Sequence, residues 1–404
     1  MGRVLVLVFH RPASAADGPL ARALADARAQ LAADHARRFR AAGADEVRVL
    51  AEEVEEEPFG TRLARLVAAA RPAPAGVVVL GSGALPMATA ADLRRLVAAA
   101  GGPAGTALAN NRYSGDVVAV AGAGALADLP PLPGDNALPR WLAEVAGFEV
   151  ADLRHLPRLQ LDLDTPLDLV LLAGLRRAPA TLRAAAAPLP GPVPARLAAV
   201  RAVLDDPRAE LVVAGRTSAA TLAALERRAA CRVRALVEER GLRASSPLAL
   251  GQARPPGTRG ELGRAGGAAA GPIVPPGEAV LGEPATRPQR PPCSTLGLLL
   301  DRDGPGALGA LLSGLGEAAV VDSRVLLAHR LGGDERAWPP AEDRFASDLL
   351  LPDRVVDPWL RALTAAALEA PIPVLLGGHT LVGPGLRLLA GTPRPATAGP
   401  GAGR

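Results

Sequence analysis

The 404-residue chain contains no lysine, so all 45 of its basic residues are arginine. A phosphate-binding loop in it could draw only on guanidinium and backbone N–H groups. Aromatic residues make up 2% of the chain, one tyrosine among them, so its cores must be built from Leu, Val and Ala. No basic block with interleaved aromatics occurs, arginine alternates with acidic residues throughout, and the formal charge is only +4. Nucleic acid, which demands a clustered basic face, is therefore not an expected partner. Cys231 and Cys293 lie far apart without CxxC or Cys/His spacing and read as buried or incidental thiols. No apolar run suits a signal peptide or membrane span, which predicts a cytoplasmic protein with no membrane partner.

The chain is long enough for two domains with real cores. Val4 to Phe9 reads as a first strand, Pro19 to Ala42 as an amphipathic helix with Leu20, Leu24, Ala27 and Leu31 on one face, and Val47 to Leu50 as a second strand. Glu52 to Glu57 reads as a solvated helix start. Gly76 to Leu80 is continuously apolar, as a central parallel strand covered on both faces must be. It delivers Gly81, Ser82 and Gly83 at its carboxyl end, where ligands of open α/β sheets collect. Thr89 should cap the helix Ala90 to Ala99. Asn110, Asn111, Arg112, Tyr113, Ser114, Gly115 and Asp116 then form a dense polar cluster before the strand Val117 to Val120. It reads as a ligand-recognition loop or as a turn rich in Asn, Ser and Gly. Asp135 or Asn136 can cap the helix through Trp141.

The stretch that organises this half is LDLDTPLDL, Leu161 to Leu169. Alternation over Leu159 to Asp164 predicts a strand whose leucines face a core while Asp162 and Asp164 share the other face. Two carboxylates on one face suit a divalent cation, or are simply the solvated side of an edge strand. Thr165 and Pro166 should then cap and open a leucine-rich helix.

LDLDTPLDL resembles the LDVDTPEDL signature that closes the catalytic domain of MobA-like nucleotidyltransferases, nearest the 2-phospho-L-lactate guanylyltransferase type. Val77 to Leu93, VVVLGSGALPMATAADL, is similar to that family's earlier VVVLGADLPLLTPADL segment, and the two motifs occur in the family's order. The resemblance covers roughly the first 180 residues. It implies a Rossmann-like, GT-A-like α/β fold and a magnesium-dependent attack of a small phosphorylated or acidic acceptor on the α-phosphate of a nucleoside triphosphate. Mg2+ would rest on Asp162 and Asp164, with Asp116. Nucleotide or substrate would contact Arg11, Gly81, Ser82, Gly83, Asn110, Asn111, Arg112 and Ser114. The chain departs from the pattern in three places: Ala84 stands where the family has a metal-binding Asp, Leu167 replaces a Glu, and the opening Gly-rich loop with its lysine is missing. These departures favour a rival reading, a catalytically inactive descendant that binds a nucleotide or a partner.

The expected organisation is a nucleotidyltransferase-like domain over 1–178, a linker over 179–194 and a second α/β domain over 195–391, with a flexible tail over 392–404. The Gly-, Pro- and Arg-rich stretch 247–292 reads as a disordered insert. In the second domain Leu211 to Ala214, Cys231 to Glu238, Ala318 to Val321 and Ile372 to Leu376 read as strands, with Ser218 as a helix cap. Arg216, Ser218, Glu238, Arg240, Asp322, Arg324 and His379 lie where those strands end. If the strands form one parallel sheet, their ends converge on a second crevice suited to an anionic ligand, with Asp322, Arg324 and His379 as candidate catalytic groups. A third reading therefore places the chemistry there.

Overall fold

The computed structural model describes residues 2–51, 57–132, 134–175, 177–238 and 291–391. The acidic run from Glu52, Arg240, nearly all of 247–292 and the tail lie outside the described residues, apart from a few at their margins. The first half is α/β: β1 (Val4–His10), α1 (Pro19–Ala41), β2 (Glu46–Ala51), α2 (Phe59–Ala69), β3 (Gly76–Gly81), α3 (Ala90–Ala100), β4 (Thr106–Ala109), β5 (Val117–Ala121), α4 (Leu138–Glu144), β6 (Glu149–Asp152) and α5 (Pro166–Ala173). Its strands form one sheet in the order β2-β1-β3-β5-β4-β6, parallel except for β5, which runs antiparallel to β3 and β4.

Period-two patterning splits β1 between the two faces of this sheet. Val4, Val6 and Val8 pack with Ala36 and Phe39 of α1 and with α3, whereas Leu5 and Leu7 pack with Leu63 of α2 and Leu142 of α4. Burial of both faces explains why the strand shows no polar alternation. The reversal of strand order lies between β1 and β3, so the carboxyl ends of these two strands open a crevice there.

The second half comprises α6 (Ala180–Ala186), α7 (Val193–Asp205), β7 (Glu210–Gly215), α8 (Ala219–Arg228), β8 (Arg232–Val237), α9 (Thr295–Asp303), α10 (Leu308–Ser313), β9 (Ala318–Asp322), α11 (Ser323–Leu331), α12 (Ala341–Asp348), α13 (Pro358–Glu369), β10 (Val374–Gly377) and α14 (Leu386–Leu389). Among the described residues its strands form a parallel sheet in the order β10-β9-β7-β8. The segment expected to be a linker carries α6, whose Leu182 is buried.

One core joins the halves. Leu20, Leu24 and Leu31 of α1 and the leucines of α5 share a continuous apolar cluster with the second sheet, while Ala32, Ala36 and Phe39 of α1 belong to the first. Among the described residues no helix is long and apolar enough to cross a membrane.

Candidate functional site

The predicted strand through Leu159 to Asp164 does not form. A 3-10 turn occupies Pro157–Leu159, and residues 161–164 make an extended run whose one ladder contact among the described residues is an antiparallel bridge, Asp162 to Ala84. The expected facing survives: Leu161 and Leu163 are buried, Asp162 is half-buried and Asp164 exposed. Thr165 does cap α5. Its hydroxyl accepts from the Asp168 N–H while Asp168 Oδ2 accepts from the Thr165 N–H at 2.7 Å. This capping box directs the chain from the bridge straight into the core.

Carboxylates from three segments converge where β3 and β5 meet the crevice. Antiparallel pairing of Leu80 with Val117 sets Asp116, just before β5, beside Gly81, just after Leu80. Asp135 comes from the loop before α4, and Asp162 and Asp164 from the bridge. Burial pushes the Asp116 carboxyl up to about 7, with Asp135 and Asp164 adding to the rise against the hydrogen bond from Asn110. Burial likewise holds Asp162 well above the carboxylate range, reinforced by Asp164 and Asp116 and opposed by Arg28. Asp135 is raised by burial and by Asp164. Like charges crowded in a poorly hydrated crevice favour protonation or a bound cation.

Among the described residues no group of three or more His, Cys, Asp or Glu is placed to hold a metal ion. The expected triad of Asp116, Asp162 and Asp164 is therefore not gathered as a ligand set, because Asp164 points outward and pairs with Arg28 at 3.3 Å. Magnesium commonly takes only one or two protein carboxylates, completing its shell with water and substrate phosphates. The half-buried Asp116 and Asp162 fit that lesser role.

Arg28 and His10 are not apparent as site residues in the sequence. Arg28 lies one turn after Leu24 on the inward face of α1, and its Nε donates to the Leu163 carbonyl at 2.6 Å. It places a cation beside Asp162 and Asp164, yet in the sequence it resembles any other arginine of an arginine-rich helix. His10 Nδ1 lies 3.1 Å from Ser82 Oγ, tying the ends of β1 and β3 together. A Cβ at Gly83 would stand 2.5 Å from Asp162 Oδ1 and would push that carboxylate from its place.

The Ala84 loop is held under strain. Leu85 is fully buried with φ of 57°, a conformation that costs a leucine about 1–2 kcal/mol. His35 Nε2 donates to the Ala84 carbonyl at 2.8 Å and Arg38 donates to that of Ala88, clasping the loop on both sides of Leu85.

The polar cluster 110–116 divides in two. Asn110 is buried and satisfied internally: its amide donates to Asp116 at 2.8 Å and to the Leu159 carbonyl at 3.0 Å, and its oxygen accepts from the Asp116 and Val117 N–H groups. It positions Asp116 and has no hydrogen-bonding group to spare for a ligand. Asn111, Arg112 and Ser114 belong to the surface, where Asn111 accepts from the Tyr113 N–H and Ser114 bonds Asn136. The exposed Tyr113 ring is approached by Arg112, Arg140 and Arg154. Arg11 is exposed just past β1. Asp135 accepts from the Asn136 N–H, and α4 has no side-chain cap.

The second crevice is electrostatically closed. Arg216 forks onto Asp322 (Nε to Oδ2, 2.7 Å), and Arg324 forks onto Asp348 at 2.8 and 2.5 Å. Glu238 accepts from Ser294 Oγ at 2.9 Å and Ser218 caps α8. Among the described residues expected at the second site, His379, in the turn after β10, stands exposed and the others are buried or half-buried. Ion pairing with buried carboxylates thus removes the main support for an arginine-lined anion site there. The two crevices lie close together, since Leu167 of α5 reaches Gly377 at the end of β10. No protein-family model and no curated protein matches this chain.

Proposed function

We propose that the first half is a MobA-like, GT-A-like nucleotidyltransferase domain of a cytoplasmic protein, acting on a nucleoside triphosphate and a small anionic acceptor. The observation that carries this reading is the convergence of Gly81, Ser82, Asp116 and Asp162 at the reversal point of the sheet. A phosphorylated acceptor would attack the α-phosphorus through an oxyanion, forming a new P–O bond as the bond to the leaving pyrophosphate breaks. Magnesium, when bound, would neutralise charge developing on the phosphate oxygens. Asp116 and Asp162 would hold it, Asn110 fixing the first and the bridge to Ala84 the second. Arg28 supports the Asp162 segment through the Leu163 carbonyl, and Gly81 and Gly83 let the nucleotide approach the backbone.

The test is calorimetric titration of the full chain with each nucleoside triphosphate, with and without magnesium. Magnesium-dependent binding to one of them is expected, reduced at least tenfold in Asp162→Ala and in Asp116→Asn. Absence of binding to all of them sinks the proposal. A second reading, a non-catalytic nucleotide- or partner-binding protein, is favoured by Ala84 in the expected metal-ligand position and by the internal commitment of Asn110. Binding without any pyrophosphate release in the presence of candidate phosphorylated acceptors would select it.

A further inference from the structure

The guanidinium of Arg387, on the short helix α14, is left without a counter-charge among the described residues. Its side chain is half-buried, and its Nε is closed off from solvent with no acceptor. A desolvated donor left unmet is costly. α14 packs against α8, whose last turn brings Arg227 and Arg228 to the same place. Arg228 is held there through Nη1, which donates to the Arg387 carbonyl at 3.2 Å. Burial, and then the charges of Arg228 and Arg227, hold the Arg387 guanidinium below its ordinary value. Arg201 of α7 extends the basic surface, its Nη2 lying 4.0 Å from where a Cβ on Gly391, just past α14, would stand.

Elsewhere the fold settles such groups. Arg158, Arg216 and Arg324 fork onto carboxylates, Arg196 donates to two carbonyls, and Arg344, whose Nε also lacks an acceptor, pairs with Glu335. Acids are settled too, Glu342 accepting from the Leu20 and Ala21 N–H groups at the start of α1. Attraction to a helix C-terminus accounts for Arg227 and Arg228. It gives Arg387 nothing, and among the described residues no carboxylate pairs with any of the three.

We propose that Arg387, Arg228 and Arg227 form an anion site that takes the phosphate groups of a small polyphosphate, free or carried by a nucleotide. Guanidinium forks match phosphate oxygens, and a polyvalent anion neutralises like charges that the fold itself leaves opposed. The site is built from the second half alone and uses none of the crevice carboxylates, so it stands apart from the transferase reading.

Calorimetric titration of the full chain with inorganic tripolyphosphate, without magnesium, is the test. One-to-one binding is expected, weakened about tenfold in Arg387→Gln and about threefold in Arg227→Ala. Arg227 is exposed, so its variant carries the test if Arg387→Gln does not fold. Arg94→Ala removes an exposed arginine of α3 and is expected to keep the wild-type affinity. The proposal is overturned if wild type does not bind or if the folded Arg387 and Arg227 variants bind as wild type does. It is overturned equally if Arg94→Ala weakens binding as much, since that is diffuse attraction to a basic protein. Repeating the titration with adenosine triphosphate, still without magnesium, assigns the source of the phosphates. Matching affinity places a nucleotide's phosphates at the site, and lost affinity restricts it to the free anion.

Discussion

His35 shows how a residue remote from the carboxylates governs the crevice. It is fully buried, donates through Nε2 to Ala84 and leaves Nδ1 without a partner, so burial drives its imidazole down to about 4. The neutral form is the one that folds. A folded pKa below the unfolded value of about 6.5 means that its contribution is complete above pH 6.5 and is lost as pH falls toward 4. The shift corresponds to about 3 kcal/mol. The buried carboxyls, Asp116 among them, are raised and shift stability the other way over the same range, so the His35 part is read by difference: between pH 7.5 and 4.5 in urea, wild type should lose about 3 kcal/mol relative to His35→Gln, which can still donate to the Ala84 carbonyl. Legibility at this scale tracks chain proximity. The shared face of Asp162 and Asp164 and the Thr165 cap are readable because their partners lie within a few residues. Arg28, His35 and Asp135 are not, since each gains its meaning from a residue 27 or more positions away.

Among the elements, strand positions are legible because continuous apolar runs announce buried parallel strands, as in β3 and β9. The segment 159–164 carries an equally clear alternation yet finds only Ala84 to pair with, so the pattern set its facing and not its ladder. Alternation reports which sides are wet and dry, and pairing needs a neighbour with a free edge. The second sheet offers a sharper case in β7, which ends on Gly215 with φ of 142°, and a Cβ there would stand 2.2 Å from that of Asp322. Gly215→Ala should force β7 from β9 and disturb the Arg216–Asp322 pair, costing about 3 kcal/mol, the scale of a broken buried ion pair. Equilibrium urea denaturation measures it, and a change below about 1 kcal/mol would contradict the close packing described.

At the scale of the whole molecule, the halves expected to be separate share a core through α1 and α5. Leu167, Leu169, Leu171 and Leu172 are all fully buried, and much of their cover comes from the second half. Each is worth about 2 kcal/mol of burial, so exposing them together approaches the roughly 5–15 kcal/mol by which a domain is ordinarily stable. A chain cut at residue 178 is accordingly expected to aggregate or remain unfolded. The full chain should melt in one transition, with far-UV circular dichroism coincident with fluorescence from Trp141 in the first half and Trp338 and Trp359 in the second. Two separated transitions would show that the halves are independent. The hydrogen bonds from Leu20 and Ala21 to Glu342 also bear on how the protein is made, because 322 residues separate Leu20 from its acceptor. At elongation rates of about 5–20 residues per second, α1 waits roughly 15 to 60 s on the ribosome for that acceptor to be synthesised. During that interval neither this cap nor the core that α1 shares with the second half can close, so the first part of the chain to be made is among the last to be finished.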